Sequence, residues 1–260
     1  MSKPTIVIVP GSWQKPIVWD NFRDVLNKNG YSSFIISRPS VGGTTVPLAG
    51  LAEDVAAVRD VLTLLAEQGE EIVVLCHSSG GVVASNAVEG FDVTTRKTAG
   101  KTGGVVRLVL LSAFVVPKGK SLWDLYSGGK PASWTRFEGD RTSVDPEGFS
   151  QIIYSDLSPE EKTRWAKELT HTATGPSGTP SGYEPWKNGV ACSYIYTSND
   201  PSMALALQYE MVERLGPETL VGSVRSGHCP FLSMPERLLE ALESVCPEIS
   251  SVGQFPLADV

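Results

Sequence analysis

The amino-acid sequence predicts a parallel α/β sheet flanked by helices, and three observations carry that prediction. Strand-like apolar runs alternate with stretches of helical periodicity; two of the runs are apolar almost without interruption; and Gly, Pro and Asn pairs punctuate the units. An unbroken apolar run marks a strand buried on both faces, as crossover helices leave it.

Thr5 to Val9 is a β-branched run that stops at Pro10-Gly11, a strand followed by a loop. Val18 to Asn27 spaces Phe22, Val25 and Leu26 as one helical face, and Asn29-Gly30 supplies a left-handed stop. Ser33 to Ser37 reads as the second strand. After a loop with Pro39, Gly42, Gly43 and Pro47, Leu51 to Ala66 forms a long helix with Leu51, Val55, Val58, Leu62 and Leu65 on one side. Ile72 to Leu75 is a buried strand, followed directly by Cys76-His77-Ser78-Ser79-Gly80-Gly81 and a run of helical composition. Val105 to Val116, Ser193 to Thr197 and Leu220 to Val224 supply further strands. Pro235 to Val245 is a last helix with Leu238, Leu239 and Leu242 inward. This alternation builds a mostly parallel sheet with right-handed crossovers.

Between Pro117 and Lys187 the rhythm breaks. Nine of the 21 aromatic residues sit there, including Trp123, Trp134, Trp165 and Trp186, without a strong strand signal. Structureless loops of that length are rare in compact domains, so helices are expected. Pro146 to Leu157 and Ser158 to Leu169 fit, the second opening with Ser158 as cap, Pro159 in the first turn and Glu161 three residues on. The expected organisation is a core over 1–116 and 188–260 with a helical lid inserted over 117–187, and Gly175 to Gly182 as its loose return.

The 260 residues are 41% hydrophobic and 20% charged, enough to fold without staples. Twenty-two Lys and Arg against 29 Asp and Glu leave a net charge of −7, which removes the counterion-release drive of nucleic-acid binders. The run from Val105 to Val116 carries Arg107 and falls short of the roughly 18 to 20 residues that span a bilayer, so no membrane partner is expected. Met1-Ser2-Lys3-Pro4 leads straight into a strand, with no apolar signal region, and the expected location is cytoplasmic. Cys76, Cys192, Cys229 and Cys246 are scattered, without a CxxC pair, and read as free thiols.

The strongest chemical signal is Cys76 to Gly80, because it joins a buried strand to a helix. On that tight turn a serine hydroxyl is thrust clear of the sheet, and the residues two before and two after must be small. Cys76 and Gly80 meet the requirement for Ser78; making Ser79 the nucleophile would put bulky His77 in a small slot. A serine hydroxyl needs a base, and that base needs an orienting group. Of the three histidines, His77 packs beside its own strand and His171 lies between two threonines facing solvent. His228 follows the last strand, at the carboxyl edge where such sheets collect their chemistry. Asp200 follows the strand Ser193 to Thr197 and falls between Ser78 and His228 in chain order, the position of the orienting acid. Gly100-Lys101-Thr102 imitates the end of a phosphate-binding loop, but Thr95 stands where its first glycine belongs; with Arg96 and Lys97 it reads as a solvated basic loop.

These residues resemble the α/β-hydrolase superfamily from Thr5 to Val245. More narrowly, VPGSW near the start, CHSSGG, TSND followed by Gln208, and SGHCPFLSMPERL are similar to a small esterase-type branch that includes plant methyl esterases and hydroxynitrile lyases. The resemblance implies an α/β-hydrolase fold and a triad of Ser78, His228 and Asp200. It also implies an oxyanion hole made by the backbone N–H groups of Ser12 and Ser79. Relatives usually have His-Gly at Pro10-Gly11 and Gly at Cys76. Those that cleave cyanohydrins carry Lys where this chain has Cys229.

The expected activity is serine hydrolysis of a hydrophobic or aromatic carboxylic ester, lactone or thioester through an acyl-enzyme. The alternatives are a non-hydrolytic lyase, cyclase or isomerase on the same fold, and a ligand receptor with a vestigial triad. Trp13, Trp123, Trp134 and Trp186 are the candidate pocket residues. The expected partner is a small-molecule substrate, with neither nucleic acid nor membrane. A homodimer stays open, and no metal or organic cofactor is implied.

Overall fold

The computed structural model describes residues 3–125 and 133–249. The chain begins with β1 (Thr5–Val9), α1 (Asp20–Lys28), β2 (Ser33–Ile35), α2 (Leu51–Glu67), β3 (Glu71–His77), α3 (Gly80–Ala87), α4 (Val93–Thr98) and β4 (Gly104–Leu111). An insertion follows, with β5 (Thr135–Glu138), β6 (Arg141–Val144), α5 (Pro146–Ile153), α6 (Pro159–Ala166), β7 (Thr172–Ala173) and α7 (Gly175–Gly178). The chain then returns through β8 (Cys192–Thr197), α8 (Leu205–Leu215), β9 (Leu220–Val224), α9 (Pro230–Ser233) and α10 (Pro235–Val245).

The central sheet has the order β2-β1-β3-β4-β8-β9, and every neighbouring pair is parallel. Each inner strand feeds two cores. Val7, Val9, Val74, Cys76, Leu108 and Leu110 face the layer with α2, α3 and α8. Ile6, Ile8, Val73, Leu75, Val109 and Leu111 face the layer with α1 and α10. Burying a Val, Leu or Ile side chain contributes about 1.5–3 kcal/mol, so this double coverage is the main stabilising term. The strand order reverses at β1, with β2 on one side and β3 on the other. The loops leaving β1 and β3 therefore diverge, opening the crevice where sheets of this type hold their ligands.

Several expectations need correction. The insertion carries α5 and α6, but also a three-stranded antiparallel sheet β5-β6-β7 where only helices were expected. Its strands are of four, four and two residues, too short for an alternation to register, and β5 and β6 are joined through Gly139 at φ 64°. The stretch from Gly175 is packed rather than loose: it forms α7, and a Cβ on Gly178 would lie 2.7 Å from the Trp123 ring. Finally, Arg96 is buried, donating to the carbonyls of Ala66, Thr102 and Gly103, so the Gly100-Lys101-Thr102 loop is clamped to the fold.

Strand β4 ends at Leu111 rather than at Val116 because Ser112 takes φ 33° and turns the chain toward the loop after β3, where the Phe114 N–H bonds the Ser78 carbonyl. Among the described residues no helix is long and apolar enough to cross a membrane.

Candidate active site

Ser78 sits between β3 and α3 with φ 53°, a left-handed conformation that costs a non-glycine residue of order 1–3 kcal/mol. Neighbouring strands hold it there. Its N–H reaches the Leu111 carbonyl, and its own carbonyl accepts from Gly81 and Phe114. The turn also needs its glycines: a Cβ on Gly80 would lie 2.4 Å from the Val9 carbonyl oxygen, and one on Gly81 2.5 Å from that of Phe114. On the third side, a Gly11 Cβ would approach Ser78 Cβ to 3.0 Å.

Asp200 and His228 leave the carboxyl ends of β8 and β9. His228 Nδ1 lies 2.6 Å from Asp200 Oδ2, with both side chains almost wholly buried. The other carboxylate oxygen accepts from the backbone of Ser202 and Met203, and Thr197 Oγ1 donates to Oδ2. Gln208 clamps this loop by accepting from Thr197 N–H and donating to the carbonyls of Thr197 and Met203. The His228 loop is fastened from the insertion, where Asp156 accepts from Gly227 N–H and Ser233 Oγ.

His77 joins His228 to the Ser78 turn. Its Nε2 donates to the His228 carbonyl at 2.9 Å, and the two imidazoles lie 4.4 Å apart. A carbonyl cannot donate, so His77 carries its proton on Nε2. Burial, and secondarily the neighbouring His228, hold its pKa well below the usual histidine value. His77 is thus a neutral spacer one residue before Ser78. Burial also drives the Cys229 thiol far up, which removes it as a competing nucleophile.

Ser12, in the loop after β1, and Ser79 face each other with hydroxyl oxygens 2.8 Å apart. Neither backbone N–H donates to another group among the described residues. Both residues line a cavity of about 40 Å³ with Ser78, Trp13, Phe114, Leu122, Trp123, Thr135, Thr142 and Ser177. Of the four candidate pocket tryptophans, the structure brings Trp13 and Trp123 to this cavity. Trp134 packs on Phe149, and Trp186 lines a separate groove with Val190, Cys192 and Leu215. His171 is half-buried rather than solvent-facing: its Nε2 contacts the Gly43 carbonyl at 2.8 Å.

Sequence reasoning missed three supports of this site. Trp13 takes φ 63°, its N–H donating to Thr172 Oγ1 and its indole to the Thr142 carbonyl, so β6 and β7 of the insertion hold the loop that carries Ser12. Asp156 left no signal, because its partners come from a distant segment. Asp54 did leave one: it is a charged residue on the apolar face of α2, fully buried against Arg38.

A left-handed serine turn between strand and helix at the switch point of a parallel sheet, tied through His77 to a buried Asp-His pair, is the arrangement of an α/β hydrolase. The sequence model of the alpha/beta hydrolase family matches residues 6–241, and the chain belongs to that family. It is 25% identical over 250 residues to a protein named Alpha/beta hydrolase nvfD from Aspergillus novofumigatus, covering 95% of this chain and 98% of that one. A pyrethroid hydrolase from Sphingobium faniae JZ-2 has the same fold, with a TM-score of 0.77 at 21% identity over 96% of this chain and 99% of its own. A protein named putative methylesterase 11 from Arabidopsis thaliana is 21% identical over 252 residues, 89% of this chain and 60% of the plant protein.

Proposed function

We propose that the protein is a serine esterase that cleaves a hydrophobic or aromatic carboxylic ester, lactone or thioester through an acyl-enzyme on Ser78. The observation that carries this reading is the buried 2.6 Å contact between His228 Nδ1 and Asp200. It commits Nδ1 to the carboxylate and leaves Nε2 as the nitrogen able to take a proton. His228 withdraws the Ser78 proton as the hydroxyl oxygen attacks the carbonyl carbon. The amides of Ser12 and Ser79 receive the charge that develops on the carbonyl oxygen. Collapse of the tetrahedral adduct expels the alcohol, which takes its proton from His228; water then repeats the sequence and frees the acid. Trp13, Phe114, Leu122 and Trp123 give the cavity its apolar walls, and residues 117–187 are read as its lid. The names of the relatives, a methylesterase among them, support ester chemistry.

Fluorophosphonate labelling with peptide mapping, alongside turnover of p-nitrophenyl esters of graded chain length, tests the reading. The expected result is a single adduct on Ser78 and a loss of at least about 10⁴ in kcat for Ser78→Ala. Turnover by Ser78→Ala at the original rate would overturn it.

A further inference from the structure

Beneath the site lies an ion pair that the proposed mechanism does not use. Arg38 follows β2, Asp54 is in the first turn of α2, and their side chains are 1% and 0% exposed. Arg38 Nε donates to Asp54 Oδ2 at 2.8 Å. The carboxylate also accepts from the backbone N–H and the hydroxyl of Ser40, so it is held from several directions. Desolvating both ions is costly, and apolar residues of equal volume stabilise a fold as well or better. Stability alone gives no reason for this pair, and its remaining contacts supply one.

Arg38 Nη1 donates both to the Pro10 carbonyl, at 3.2 Å, and to Ser79 Oγ, at 3.1 Å. Pro10 lies two residues before Ser12, and the Ser79 hydroxyl is itself 2.8 Å from that of Ser12. One nitrogen of a fixed planar group thus bridges the two loops that bring Ser12 and Ser79 to the cavity, and the hydroxyl pair closes the ring between them. The loops come from β1 and from the turn after β3, and they diverge at the switch point, so their separation needs such a tie.

We propose that Arg38, oriented by Asp54, is a positioning residue that sets the gap between the Ser12 and Ser79 amides and thereby organises them for the oxyanion. This inference rests on the esterase reading above. It requires a rigid two-armed donor: a lysine keeps the charge and can reach Asp54, but lacks the planar fork that holds Nη1 across two acceptors while Nε binds the carboxylate.

The test uses the full chain carrying Arg38→Lys, Arg38→Gln or Ser79→Ala. The last removes the acceptor and the hydroxyl pair while leaving the amide and the ion pair in place. Each variant is measured for kcat and KM on a p-nitrophenyl ester. Each is also measured for affinity toward a trifluoromethyl ketone, whose adduct with Ser78 carries an oxyanion, and toward the matching methyl ketone. The expected result for Arg38→Lys and Ser79→Ala is an about ten- to hundredfold fall in kcat with KM within about twofold. The trifluoromethyl ketone should weaken by the same factor and the methyl ketone should be unchanged. A purely structural role would lower the melting temperature without tying kcat to the oxyanion analogue. Unchanged kcat and analogue affinity in both variants would overturn the proposal, and it survives failure of Arg38→Gln to fold because the other two still report. Failure of the original protein to label at Ser78 would remove the esterase reading and this inference together; normal labelling with insensitive Arg38 variants would remove this inference alone.

Discussion

Replacing Asp200 by Asn probes the orienting acid through the hydrogen-bond pattern around it. Oδ1 accepts from two backbone N–H groups, those of Ser202 and Met203, at 2.7 and 3.0 Å. An asparagine must place its carbonyl oxygen there, because a side-chain NH₂ would face two donors. The NH₂ is then forced into the Oδ2 position, 2.6 Å from His228 Nδ1. As a donor it selects the tautomer with Nδ1 bare and the proton on Nε2, the nitrogen that accepts from Ser78 in the proposed mechanism. The imidazole keeps its place and loses its basic lone pair on the working side. In a Ser-His-Asp triad the wrong tautomer costs about 10⁴ in kcat, or about 5.4 kcal/mol of transition-state stabilisation, and the same loss is expected here. Steady-state turnover of a p-nitrophenyl ester, with circular dichroism to verify folding, measures it. A folded Asp200→Asn protein that retained more than a tenth of the original kcat would refute the assignment of Asp200 as the group that sets the tautomer.

Three further outcomes are expected. His77 is neutral in the fold, with its pKa well below the usual value, whereas in the unfolded chain it titrates near 6.5. Its contribution to stability is therefore complete above that pH and declines at up to about 1.4 kcal/mol per unit as the pH falls below it; urea unfolding between pH 7.5 and 5 should show a flatter dependence for His77→Gln, and identical slopes would count against the argument. Gly80→Ala sets a Cβ 2.4 Å from the Val9 oxygen and 2.6 Å from that of Pro10, both backbone, and should cost about 3 kcal/mol and lower Tm by about 10 °C in a thermal melt. Trp123→Ala should open the 40 Å³ cavity toward longer acyl chains, raising kcat/KM about fourfold for each methylene newly buried, and an unaltered chain-length profile would exclude Trp123 as its wall.

The sheet was legible because its inner strands β1, β3, β4 and β8 are buried on both faces and announce themselves as apolar or β-rich runs whatever lies between them, while the edge strand β9 is largely exposed and was marked by its Leu and Val residues alone. The last strand and last helix coincide with the residues read from sequence, Leu220–Val224 and Pro235–Val245. The Asp200 and His228 pairing was legible for a topological reason: parallel strands place all their carboxyl ends on one edge, so a residue just past β8 and one just past β9 must be near neighbours. The insertion was legible only in part. Its second helix carries a complete capping box between Ser158 and Glu161, a local signal that needs no tertiary context. Its strands are short, exposed on one side and stabilised by contacts with Trp13 and Val41 that no window of sequence contains. Arg38 was passed over for a related reason, since it looks like an ordinary surface charge until β2 and α2 are packed together; Asp54, on the apolar face of α2, was legible as a buried charge but not as the partner of Arg38.

Those contacts change what the insertion is for. Thr172 and Thr142 hold Trp13, the residue next to the Ser12 amide, in a left-handed conformation that a tryptophan adopts only under constraint. Asp156, from the same insertion, fixes Gly227 immediately before His228. The sheet alone therefore dictates where the Ser78 turn and the Asp200 loop emerge, whereas the Ser12 and His228 loops take their final form from residues 142–172. The segment therefore fastens the loops of the site, whatever cover it also gives the cavity. Trimming it to widen the cavity would loosen the Ser12 and His228 loops at the same time, so side chains that reach the cavity without holding either of those loops, such as Trp123, are the places where the cavity can be reshaped with both loops left in place.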